Sequence, residues 1–214
     1  MFESLRSKSK SPPDGKAPEE RMRAIRGSST AELAATLLIA PTALMQLTHE
    51  EATIIVSFMV PRKIAAGTTF ITEGDKVDTG FMLLLLYGDV TVESVAVSRK
   101  ERRTVTVLGS GSLIGELSLL DGSARLTSCV ASTNLLCAAL SRAALEKLTE
   151  HDPCTAAKLL LAISTRIAER LREVTDKVRL YSDLVQVMQQ EIDHLMPTPD
   201  RLNVKHDKGA RART

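Results

Sequence analysis

Gly111-Ser112-Leu113-Ile114-Gly115-Glu116-Leu117-Ser118-Leu119-Leu120-Asp121-Gly122-Ser123-Ala124-Arg125-Leu126-Thr127-Ser128 is the most informative stretch of this 214-residue chain. Gly115 allows the backbone to approach a ligand closely. Glu116 to Leu120 fits one helical turn whose free amides face an anion. Nine residues beyond Glu116, Arg125 can close over the same spot as a fork for phosphate. A carboxylate beside an anion site needs a reason, and a ligand with both a hydroxyl and a phosphate supplies one. A sugar phosphate or a nucleotide has both groups. The same spacing is equally compatible with a surface Glu116–Arg125 ion pair at the end of a β-turn.

Outward from this stretch, short β-type runs alternate with Gly- and Asp-containing turns. Strands are expected at Thr68 to Ile71, Phe81 to Tyr87, Val90 to Val97, Thr104 to Leu108, Ser128 to Ala131 and Leu135 to Leu140. Turns fall at Glu73-Gly74-Asp75, Gly88-Asp89 and Gly109-Ser110-Gly111, a spacing that indicates a β-sandwich or barrel. Before the strands, Thr30 is the expected cap of a short helix running to about Ile39. Thr48-His49-Glu50-Glu51 reads as a capping box for a helix through Phe58.

The last third is helical. Ser141 is placed to cap a helix through Thr149. Asp152 and Pro153 supply a cap and a first-turn proline for a helix with no breaker before Pro197. Leu171, Val174, Val178, Tyr181, Val185, Met188, Ile192 and Leu195 alternate spacings of three and four, the seam of a left-handed coiled coil. Leu160, Ile163, Ile167 and Leu171 break that rhythm with a stutter. There the helix is expected to leave its own domain and pair with a second copy, making a homodimer through residues 160–195.

Composition narrows the function classes. Hydrophobic residues are 43% and charged residues 25%, a globular balance, and no apolar run is long enough to span a bilayer. The first residues lack an apolar signal core, so the expected location is cytoplasmic. Aromatics at 3% argue against stacking platforms for single-stranded nucleic acid. Cys129, Cys137 and Cys154 form no C-x-x-C pair and read as reduced core thiols, and the four histidines read as surface residues without metal-ligand spacing. Net charge is +2, but residues 1–30 carry +3, residues 201–214 carry +4 and the body between them −5. The organisation expected is a disordered basic leader over 1–29, a β-rich domain over 30–152, a long helix over 153–196 and a disordered basic tail over 197–214.

These features together resemble the cyclic nucleotide-binding domain of catabolite activator proteins, protein kinase A regulatory subunits and gated ion channels. The resemblance covers about Leu47 to Val178. It includes Gly67, the Glu73-Gly74-Asp75 turn followed by Asp78, Phe81 to Gly88, the cassette Gly115 to Leu120, Arg125 with Ser128 and Ala131, and His151-Asp152-Pro153. It implies an α+β fold, an eight-stranded jelly-roll barrel with N-terminal helices and a long C-terminal coiled-coil helix. It also implies a cyclic phosphate held by Arg125 and cassette amides, including those of Leu117 and Ser118. The ribose hydroxyl would be held by Glu116 and the Gly115 amide.

The chain departs from the family in three respects. Where the family reads Pro-Arg-x-Ala-Ser/Thr, this sequence has Ala124-Arg125-Leu126-Thr127-Ser128, so Leu126 lacks a hydroxyl and Thr127 replaces a small alanine. The Thr-Ser pair that reaches the base in catabolite activators is Val174-Thr175 here, which leaves Thr175 as the expected base contact. Pro197 opens a tail of under twenty residues, too short for the helix-turn-helix domain of those activators, so no DNA-binding domain is expected. No kinase signature, nucleophile elbow or P-loop is present, and no enzymatic role, metal or cofactor is expected. The expectation is a stand-alone receptor, cAMP favoured, that signals to an unidentified effector protein by repositioning its dimeric helix. A cyclic dinucleotide such as cyclic di-GMP, or a coiled-coil scaffold with a vestigial pocket, are the alternatives.

Overall fold

The apolar run Phe81 to Leu86 forms a strand whose two faces are both buried, so it reads as continuous rather than alternating. Met82, Leu84 and Leu86 pack toward the helices, while Leu83 and Leu85 point between two sheets. The computed structural model describes residues 18–77, 79–95 and 102–195. In chain order these form α1 (Pro18–Ile25), α2 (Ser29–Leu38), α3 (His49–Ser57), β1 (Val60–Ile64), β2 (Thr69–Ile71), β3 (Phe81–Tyr87), β4 (Val90–Val95) and β5 (Arg102–Leu108). They continue with β6 (Leu113–Ile114), α4 (Glu116–Asp121), β7 (Ser128–Ala131), β8 (Leu135–Ser141), α5 (Arg142–His151) and α6 (Pro153–Leu195).

The strands make two antiparallel four-stranded sheets, ordered β1-β8-β3-β6 and β2-β7-β4-β5. This is the expected α+β jelly-roll arrangement. One core lies between the sheets, around Leu83, Leu85, Val90, Val92, Cys129 and Cys137. The other joins the first sheet to the helices through Leu38, Ile55, Leu84, Leu140, Leu148 and Leu159. Removing a side chain such as Leu84 from a site of this kind costs about 2–5 kcal/mol.

Local signals explain where the helices start. The Thr48–Glu51 capping box is complete, with Glu51 N–H donating to Thr48 Oγ1 at 3.3 Å and Thr48 N–H to Glu51 Oε2 at 2.8 Å. Glu51 also accepts from Lys158 on α6; this bond first, then the Thr48 amide, holds its carboxyl below the ordinary carboxylate range. Ser141 caps α5, accepting from Ala144 N–H, and Asp152 receives Thr155 N–H at 3.0 Å at the start of α6.

Some expectations need correction. The cap of α2 is Ser28 and not Thr30, because it is Ser28 whose hydroxyl accepts from Ala31 N–H. Within the leader expected to be disordered, Pro18–Ile25 is helical, and the Arg21 guanidinium sits 4.7 Å from the Phe58 ring centroid. β1 and β6 are additional strands: β1 is an edge strand, which tolerates Pro61, and β6 has only two residues. Cys154 is exposed, not a core thiol. The expected end of β4 at Val97, Asp78, His206 and the tail 197–214 lie outside the described residues.

Packing divides the chain into one compact unit ending at Ile167 and another beginning at Ala168. In the first, Leu159, Ala162 and Ile163 of α6 are buried and Ile167 packs at the margin of the core. The compact unit therefore runs beyond the expected boundary at 152/153, where α6 merely begins. In the second unit, the seam residues from Leu171 to Leu195 are all exposed. No helix among the described residues is long and apolar enough to cross a membrane.

The thiols provide a check. Burial pushes the Cys137 thiol up from 9.0 to about 11, whereas Cys154 is exposed. Because the folded value is raised, the stability gained by keeping Cys137 protonated is complete below pH 9.0 and is lost as pH rises through about 11. Iodoacetamide at pH 8 is expected to modify one cysteine of the folded chain, Cys154, and all three only in denaturant, as read by mass spectrometry. Rapid alkylation of Cys137 in the folded protein would contradict this packing.

Candidate functional site

The candidate site is built around α4, a six-residue helix bounded by Gly115 at φ 84° and Gly122 at φ 71°. Both glycines occupy the left-handed region, which starts and stops the turn sharply. So short a helix is not stable on its own and is held by its surroundings. Glu116 and Ser118 are buried on it, and Leu117 is half-buried.

Arg125 arrives from the loop before β7 and is only 5% exposed. Its Nη1 donates to the Gly115 carbonyl and its Nη2 to the Phe81 carbonyl, each at 3.1 Å. The guanidinium carbon lies 4.4 Å from the centroid of the Phe81 ring, whose face attracts a cation. The backbone of Arg125 is equally fixed: its N–H donates to the Asp75 carbonyl at 3.0 Å, and Gly74 N–H donates to its carbonyl at 2.8 Å. Ser128 Oγ accepts from Glu73 N–H at 3.0 Å, locking the same turn from the next strand. The Glu73-Gly74-Asp75 turn thus carries the loop that aims Arg125.

Gly115 is needed for close approach as well as for its φ. A Cβ there would fall 2.4 Å from Arg125 Nη1 and 3.1 Å from the Phe81 carbonyl oxygen. At the other end of α4, Arg142 Nη2 donates to the carbonyls of Ser118 and Leu119 at 3.2 and 2.7 Å. The Ser123 amide donates to Asp121 and is the largest cause of a carboxyl held below its ordinary range.

Of the residues expected from sequence, Gly115, Glu116, Leu117, Ser118 and Arg125 come together. Leu126, exposed, and Thr127, half-buried, follow Arg125 directly. Thr175 lies in the second unit, exposed, with its hydroxyl donating to the Leu171 carbonyl at 2.8 Å. Sequence reasoning gives no signal for the Phe81 ring and carbonyl, which lie 44 positions from Arg125 and meet it through sheet packing. For Arg142 the sequence offers one signal, a cation at a helix start. Among the described residues no cluster of three or more His, Cys, Asp or Glu could hold a metal ion.

Residues 61–152 match the family model described as the cyclic nucleotide-binding domain. No curated protein matches the chain. Among solved structures, it is similar to a cyclic nucleotide-binding domain from Methylobacillus flagellatus KT, at 28% identity over 71% of this chain and 83% of that one, with a TM-score of 0.60. It is also similar to the N-terminal domain of a transcriptional regulator from Streptomyces coelicolor A3(2), at 27% identity over 65% of this chain and 95% of that one, with a TM-score of 0.55. A third likeness is to the Thermus thermophilus catabolite activator protein, at 30% identity, covering 64% of this chain and 61% of that protein, with a TM-score of 0.55.

The geometry at Gly115 yields a stability test with an internal control. Gly67 has φ 78° with nothing within 4 Å of the place a methyl group would take, so Gly67→Ala meets only the backbone cost, about 1–2 kcal/mol. Gly115→Ala meets a similar backbone cost and also displaces Arg125. Urea unfolding is expected to show Gly115→Ala as the more destabilising of the two; equal losses would mean that the arginine does not constrain this position.

Proposed function

Because residues 61–152 form a cyclic nucleotide-binding domain, we propose that this chain is a receptor for a cyclic mononucleotide, with cAMP favoured over cGMP, which signals to an effector protein through its long C-terminal helix. The observation that carries this reading is a buried guanidinium, that of Arg125, fixed against Gly115 with the buried Glu116 next in sequence. A cation in such a place selects an anionic ligand, and the neighbouring carboxylate selects one that also donates a hydroxyl. The cyclic phosphate would be taken by Arg125 and the amides of the Gly115–Ser118 turn. The ribose hydroxyl would be taken by Glu116 and the Gly115 amide, with Leu126 and Thr127 beside the ligand.

Ligand entry requires Arg125 to exchange carbonyl acceptors for phosphate oxygens. Charge-assisted bonds between two ions are stronger than bonds to a neutral carbonyl, so the exchange favours the occupied state. Signalling is then a population shift of the α4 turn and of the helices that follow it. The exposed seam on α6 is the proposed dimer contact, since two copies bury each other's Val178, Tyr181, Val185 and Met188.

Calorimetry with cAMP, cGMP and cyclic di-GMP tests the ligand class. Arg125→Ala is expected to weaken cAMP binding by roughly a hundredfold, the equivalent of losing about 3 kcal/mol. Glu116→Ala should weaken it less, and should narrow the preference for cAMP over its 2′-deoxy analogue. If the unaltered chain binds none of the three, the scaffold reading replaces this one. Assembly is tested separately: Val178→Asp places a charge in the seam and is expected to convert a sedimenting dimer to a monomer. A monomeric unaltered chain would rule out the dimer.

A further inference from the structure

We propose that Arg142 is a positioning residue that ties the far end of the α4 turn to the start of α5, so that a change at the ligand site is passed to that helix. The inference rests on the ligand-binding function proposed above. It starts from an arginine in an unfavourable place. Arg142 is the first residue of α5, directly after the Ser141 cap, where a cation faces the positive end of its own helix dipole. The needs of α5 therefore give no reason for an arginine.

Its side chain instead reaches α4. The bonds from Nη2 to the Ser118 and Leu119 carbonyls, at 3.2 and 2.7 Å, engage the negative end of that helix, where a cation is favourable. The Gly122 cap fits against the same guanidinium: a Cβ there would lie 3.4 Å from Nη2. The main chain adds a second tie, with Arg142 N–H donating to the Gly80 carbonyl at 2.7 Å.

The next carbonyl, that of Phe81, accepts from Arg125. The two arginines thus hold the same two objects. Arg125 grips the carbonyls of Gly115 and Phe81, at the start of α4 and the start of β3. Arg142 grips the carbonyls of Ser118, Leu119 and Gly80, at the end of α4 and just before β3. When a phosphate draws Arg125 away from its two carbonyls, the start of α4 changes partners while its end remains attached to α5. A single helical turn is short enough to move as a unit, so a displacement at Gly115 reaches Arg142 and α5 with it.

The native thiols provide the readout. Cys154 is exposed near the start of α6, directly after α5, whereas Cys129 and Cys137 are buried. An environment-sensitive fluorophore on Cys154 of the full chain reports the α5–α6 junction, and calorimetry reports affinity independently. The expected result is an emission change on cAMP saturation in the unaltered chain. Arg142→Gln should bind cAMP within about threefold of it yet lose most of that change. Arg142→Lys, which keeps the charge but offers one nitrogen, should restore part of it. A merely structural role would lower the melting temperature without separating affinity from signal.

Arg142→Gln with both affinity and emission change intact would overturn the proposal while leaving the receptor function standing. So would an unaltered chain that binds cAMP with no emission change, or an Arg142→Gln variant that loses binding as Arg125→Ala does. An unaltered chain that binds no cyclic nucleotide overturns the receptor function and this inference with it. If Arg142→Gln does not fold, Arg142→Lys decides: reduced emission change at unchanged affinity supports the tie, and a full change refutes it.

Discussion

A guanidinium buried inside a β-rich domain constrains everything around it. Placing the Arg125 charge away from bulk water is unfavourable unless its donors find acceptors, and these include the backbone carbonyls of Gly115 and Phe81. That choice requires three chain segments to meet. The residue at 115 must lack a side chain, the first residue of β3 must present both its carbonyl and its ring, and the loop before β7 must be clamped by the Glu73–Asp75 turn. The two sheets provide the rigidity for this, since β3 is packed on both faces and cannot shift without disturbing both cores.

Much of this was legible in the sequence because it is written in local chemistry. Thr48 with Glu51, Ser141, and Asp152 before Pro153 are hydroxyl or carboxylate groups that satisfy amides within four residues, and each marks a helix start that the structure has. The run Phe81 to Tyr87 gave a strand with its observed bounds. Gly115 and Glu116 could be placed on a turn because the glycine and the helical residues are contiguous. The resemblance that identified the domain drew on the same contiguous motifs.

What was not legible depends on distant partners. β1 is a strand because Val60 to Ile64 pair with Leu135 to Ala139, over seventy positions away, and its Val-Pro-Arg-Lys sequence carries no alternating pattern. At the start of α2, Ser28 and Thr30 both have a hydroxyl, and only the chain's entry angle decides which one caps. The helicity of α1 is compatible with its Pro18-Glu19-Glu20 start and its Arg, Met and Ala residues, but the leader's overall basic, Pro-containing character obscures it, and contacts such as Arg21 on Phe58 add to it. The Phe81 contribution to the site is of the same kind: a carbonyl and a ring are not motif letters.

The size of α4 determines how such a site can respond. A longer helix would have more packing of its own, whereas a six-residue turn between two left-handed glycines is placed by Leu119 in the core and by what holds its ends. Those ends are held by hydrogen bonds to charged groups, each contributing about 1.5–3 kcal/mol. Moving a two-state equilibrium from 1:99 to 99:1 takes about 5.5 kcal/mol of differential affinity. The two carbonyl bonds of Arg125 are together of that order, but only the surplus of any replacement bonds over these two is available to shift the turn. That surplus is too small to unfold the sheets behind it, where one lost leucine side chain already costs about 2–5 kcal/mol and many pack together. A shift of α4 would therefore be confined to the elements attached to it, and among the contacts described the side chain bonded to the Ser118 and Leu119 carbonyls is Arg142.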